Sequence, residues 1–145
     1  MNSTDNTDAV HFESYLEKLG MKCQHRESST GFGDKVAQFG NAEILLRIGS
    51  DRGMWFVDIA DTNKPDENNW YDPAILRDVL IGPGSDVLSL AEMIEFIKKN
   101  YQLIIKAFSS AQRAETHERL NIMRTERLRR RFPGFLPNSQ GNERE

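Results

Sequence analysis

The chain reads as an α+β domain. It should carry an N-terminal helix, a small antiparallel sheet of three or four strands around a central hairpin at 43–60, and C-terminal helices packed on one face of that sheet. Three observations predict this. Apolar residues recur at helical spacing near both ends, β-branched and aromatic residues alternate across 44–59, and turn or cap residues stand at the junctions between these patterns. A length of 145 residues with 38% hydrophobic content fits one such domain with a usable core.

Phe12, Tyr15, Leu16 and Leu19 fall on one helical face, which predicts a helix over 8–19 with Asp8 as N-cap and Gly20 just past its end. Residues 1–7 are expected to be disordered. An edge strand over 21–27 and a second short strand over 36–39 follow, joined by a turn at Gly31-Phe32-Gly33. The hairpin turn is centred on Asp51 and Arg52, so that Ile48 faces Trp55, Leu46 faces Val57 and Ile44 faces Ile59. On the other face this register pairs Arg47 with Phe56 and Leu45 with Asp58, leaving Arg47 and Asp58 as diagonal neighbours.

A polar loop over 61–69 leads to Trp70 and Tyr71, and Asp72-Pro73 supplies an N-cap followed by Pro at the first helical position. The short helix that follows carries Ile75, Leu76, Val79 and Leu80 on one stripe and ends at Gly82-Pro83-Gly84. Ser89 and Glu92 form a capping box, opening a long helix whose apolar stripe runs from Leu90 to Phe108. The domain proper is therefore expected at 8–108. Residues 109–131 are an Arg-rich helical extension that projects beyond the core or folds back as a separate helix. Phe132-Pro133-Gly134 stops it, and 132–145 are expected to be a disordered tail.

The net charge of -3 conceals a segregation. Residues 1–108 hold 17 acids against 11 Lys and Arg, whereas 109–131 hold seven Arg against three Glu. The chain is an acidic body with a basic arm. No apolar run approaches the roughly 20 residues of a membrane span. The start MNSTDNTDAV lacks the basic and apolar regions of a secretory signal, so a cytoplasmic, soluble protein without membrane contact is expected.

Catalytic signals are missing. His11, His25 and His117 stand apart with no metal-ligand spacing, Cys23 is the sole cysteine and reads as a packed, shielded thiol, and Gly31-Phe32-Gly33 reads as a turn rather than a phosphate cradle. No cofactor and no metal is expected, and an enzyme is the weakest reading. Two candidate surfaces remain. One is an acidic, aromatic docking face formed by Arg47, Asp58, Asp61, Asp66, Glu67, Trp70 and Tyr71, residue types that anchor interfaces. The other is the cluster Arg124, Arg127, Arg129, Arg130 and Arg131, suited to self-association or to nucleic-acid phosphates. An acidic chain with no aromatic platform beside those arginines makes nucleic acid the weaker partner class. A homo-oligomer through the C-terminal helix is a further expectation.

The stretch FGNAEILLRIGSDRGMWFVDIA, followed by NWYDPAILRDVL and LSLAEMIEFIKKNYQLIIKAF, carries a resemblance over roughly residues 12–108. It is similar to small bacterial proteins with an R-[VI]-x-x-DRG-x-W-x-[VI] hairpin and a later W-[YF]-D before a helix. Some of these resemble immunity proteins, the cytoplasmic antidotes encoded beside polymorphic or contact-delivered toxins. The resemblance implies a binding protein that neutralises a cognate partner, such as a basic toxin domain, through its acidic face. The Arg-rich extension lies outside that pattern.

Overall fold

The computed structural model describes residues 3–28 and 34–134. The chain is α+β, with five antiparallel strands in sequential order β1-β2-β3-β4-β5 and four α-helices. The sheet exceeds the expected three or four strands, because Trp70–Tyr71 pairs with β4 as a two-residue strand, β5.

The first helix, α1, spans Ser3–Lys18, starting five residues before the expected Asp8 cap, so residues 3–7 are helical rather than disordered. Its end is a left-handed glycine stop. Gly20 has φ +93°, its N–H donates to Glu17 O at 3.0 Å, and the Met21 N–H donates to Leu16 O at 3.1 Å. The stop turns Leu19 outward and places Met21 in the core beside Phe12 and Leu16.

Strands β1 (Lys22–Ser28), β2 (Lys35–Gly40), β3 (Ile44–Asp51) and β4 (Met54–Asp61) then form a meander. Strand β1 is exposed throughout, as an edge strand allows, and Cys23 is exposed rather than shielded. The expected Gly31-Phe32-Gly33 turn lies outside the described residues.

The β3–β4 register differs from expectation by two residues. Asp51 faces Met54, Ser50 faces Trp55, Ile48 faces Val57 and Leu46 faces Ile59. The loop is just Arg52 and Gly53, with φ of 56° and 81°, both left-handed as a tight hairpin requires. A two-residue shift leaves every side chain on its expected face. It also sets Arg47 directly opposite Asp58 rather than diagonal to it.

The inner face carries Ala37, Phe39, Ile44, Leu46, Ile48, Val57, Ile59 and Tyr71, all in the hydrophobic core. Helix α2 (Pro73–Leu80) is capped by Asp72, whose side chain accepts from the Ile75 N–H at 3.0 Å, and has Pro at its start. Helix α3 (Leu90–Ala107) opens on the expected Ser89–Glu92 capping box, and inside it Asn100 leaves helical geometry. The Asn100 amide donates to Phe96 O at 3.0 Å.

The C-terminal segment, α4 (Arg113–Arg131), folds back onto the domain. Leu120 is fully buried in the same core as α1, α2 and α3, and Thr116, His117 and Arg127 are buried with it. The domain therefore extends past residue 108. Helix α4 stops before Phe132, and residues 135–145 of the expected tail lie outside the described residues. No described helix is long and apolar enough to cross a membrane.

Candidate functional site

The face of the sheet away from the helices adds nothing to the core cluster, and its side chains follow from the period of two along a strand. Gln38, Arg47, Asp58 and Trp70 point to this outer side. Leu45 and Ala60 lie beneath them, buried at 6% and 0% exposure. Arg47 Nη2 donates to Asp58 Oδ2 at 3.3 Å, and its guanidinium stacks 3.9 Å from the centre of the Trp70 ring. The result is a fixed Asp–Arg–Trp row. The stack holds a flexible cation over the negative face of an indole that is itself only partly buried.

Burial pushes the Asp58 carboxyl above its usual pKa; Arg47 opposes this, and the negative charges of Asp72 and Glu67 reinforce it. Folding thus tightens the hold on that proton. The cost of ionising Asp58 is absent below its unfolded pKa and sets in as pH rises through the folded one. Asp58→Asn should therefore match or exceed the parent in stability at neutral pH. That advantage should vanish as pH falls through the carboxylate range, which denaturant titrations at several pH values would measure.

Asp66 and Glu67 are exposed on the loop before β5, Glu67 within the 3-10 turn Glu67–Asn69, and they extend the acidic rim of this face. Asp61 and Tyr71 do not belong to it. Ile59 and Asp61 share the inner face of β4, and neighbouring Trp70 and Tyr71 point to opposite sides of β5, so Asp61 is 0% exposed and Tyr71 is 1% exposed. Strand parity was the signal: placing Ile59 in the core already placed Asp61 there.

Buried Asp61 is matched by residues from α4. Arg113 Nε lies 2.9 Å and His117 Nε2 3.0 Å from Oδ2, while Oδ1 accepts from the Asn63 N–H at 2.8 Å. The His117 ring packs edge-on to Phe108 with centroids 5.8 Å apart. Two α4 side chains, 52 and 56 positions from Asp61 in the chain, thus close the seam between sheet and α4.

The arginine cluster is likewise turned toward its own chain. Arg124 donates to the carbonyls of Asn68 and Trp70 and stacks 4.4 Å from the Tyr71 ring centre. Arg127, 5% exposed, ion-pairs with the Asp72 carboxylate at 3.2 Å and donates to Asp86 O at 2.7 Å. Arg130 reaches Asp86 Oδ1 at 3.2 Å. Arg119, further up α4, caps the Val79 carbonyl near the end of α2. Only Arg129 and Arg131 of the five candidates are exposed without a bond among the described residues. Asp86 and His117 carried no local sequence signal for these roles, since their partners come from distant elements.

Among the described residues no three His, Cys, Asp or Glu side chains converge as a metal site. Compared with family models, with curated proteins and with solved structures, the chain finds no significant match.

Proposed function

We propose that this chain is a non-catalytic protein-binding module of the immunity type, which neutralises a cognate toxin by covering it with the outer face of the sheet. The observation that carries the reading is the Arg47–Trp70 stack, pinned by Asp58 on a sheet face that, among the described residues, adds nothing to the helix-covered core. Arg and Trp are the side chains that most often anchor interfaces, and a preorganised pair loses little entropy on binding. Asp58, Asp66 and Glu67 supply negative charge around it, which favours rapid encounter with a basic partner domain.

The reading is tested by co-purifying the chain with the products of adjacent genes and by measuring protection against any toxin among them. Trp70→Ala should weaken such a complex by about 2 kcal/mol or more, as interface anchors do. A complex of undiminished affinity, or the lack of any complex and protection, would sink the proposal.

Binding of nucleic acid through the arginine cluster is the alternative. Against it stand the intramolecular bonds of Arg124, Arg127 and Arg130. Salt-sensitive binding to DNA or RNA that is lost in an Arg129→Ala, Arg131→Ala double variant would revive it.

A further inference from the structure

The row of the inner sheet face nearest the β3–β4 turn is unlike the apolar rows beside it. Ser28 faces Lys35, Lys35 faces Ser50, and Ser50 faces Trp55, so four strands contribute one polar row. The next row, Ala37, Ile48 and Val57, is core. Where α1 passes over this border a cavity of about 300 Å³ remains, walled by Ala9, Val10, Ala37, Ile48 and Trp55. That volume is at the lower end of the range for small-molecule sites.

Along this polar row two donors lack an acceptor. The indole N–H of Trp55 and the hydroxyl of Ser50 are both buried with no hydrogen-bond partner. Native proteins rarely leave such groups unmade, and each is a cost to the fold until something accepts from it. Lys35, at the mouth, holds its ammonium 5.5 Å from the Trp55 ring centre and 3.0 Å from Asn6 Oδ1. Among the described residues it has no carboxylate within ion-pair distance.

Arg26, Glu13 and Glu27 also line the mouth, and the Glu27–His25 contact is ionic only when the imidazole is protonated. Arg26 bonds Glu13 at 2.8 Å, and Glu27 lies 3.2 Å from His25 Nε2. Among the described residues, a cation with no carboxylate within ion-pair distance and an orphaned indole N–H therefore flank the hollow.

We propose that this cavity binds a small monocarboxylate, its carboxylate bridging the Lys35 ammonium and the Trp55 indole N–H, its compact apolar body resting on Ala9, Ala37 and Ile48. An anion satisfies the ammonium and the indole together, which a neutral or cationic molecule of the same shape does not. This site lies on the inner side of the sheet and stands apart from the outer docking face, so neither reading depends on the other.

Hexanoate and benzoate are the probes, with 1-hexanol and hexylamine as isosteric controls. The chain has two tryptophans, so a Trp70→Phe variant makes Trp55 the sole indole reporter. Both acids should change its emission saturably and raise the melting temperature, while the alcohol and the amine should do neither. Lys35 is exposed, and Lys35→Met should fold normally yet bind hexanoate about tenfold more weakly, the loss expected for a charge-assisted contact. Trp55→Phe, followed by melting temperature, should weaken hexanoate while keeping the ring. No saturable response to either acid, a response to hexanol equal to that for hexanoate, or full affinity in Lys35→Met would overturn the proposal.

Discussion

Asp61→Ala should lower the unfolding free energy by about 3–5 kcal/mol, the usual cost of breaking a buried ion pair by removing one partner. Asp61 is fully buried and takes contacts from Arg113, His117 and the Asn63 N–H. Without it the Arg113 guanidinium and the His117 ring, one turn apart on α4, lose the carboxylate oxygen they share. Loss at this site should be far larger than for an exposed acid such as Glu67, where a change of less than about 0.5 kcal/mol is expected. Chemical denaturation of the two variants side by side measures the contrast. Equal, small effects would mean that α4 does not close over Asp61 in solution.

Leu120→Ala should cost about 2–5 kcal/mol, the range for truncating a buried leucine where the surroundings collapse only partly. Leu120 is fully buried in the core shared by the sheet, α1, α2 and α3. This substitution distinguishes an integral helix from a projecting arm, because a leucine on a solvated arm would change stability by a few tenths at most. Ile122 on the same helix is 56% exposed and is the internal control, expected to be nearly neutral when changed to Ala. The two predictions probe the docking of α4, one through a polar contact and one through an apolar one. Both act on the docking of one helix, so a double-mutant cycle would measure any coupling between them.

Part of the candidate site was legible by strand parity: Asp58 and Arg47 belong to the outer face in either hairpin register. The separation of Trp70 from Tyr71 was not, because only pairing with β4 makes these two residues a strand whose neighbours point to opposite faces. The choice of register was not legible. Pairings that differ by two residues present the same apolar face, so the hydrophobic pattern is blind to the difference. The left-handed backbone at Arg52 and Gly53 decides it. Nor did composition reveal the fate of the arginines. A basic helix reads as a surface until its partners are known, and here they are Asp72, Asp86 and the carbonyls around Trp70.

By itself the sequence determined the α+β class, the first four strands and the short and long helices after Asp72 and Ser89, where Asp72, Ser89 and Gly20 begin or end helices, and which face of the hairpin is core. These depend on groups within a few positions of one another: a cap and its N–H, or a side chain and the pleat of its own strand. Only the tertiary structure decided that Arg113 and His117 meet Asp61, that α4 joins the core, and that a polar row with an orphaned indole borders a cavity under α1. Those outcomes pair groups far apart in the chain, whose meeting depends on how whole elements dock and leaves no local mark in the residues themselves.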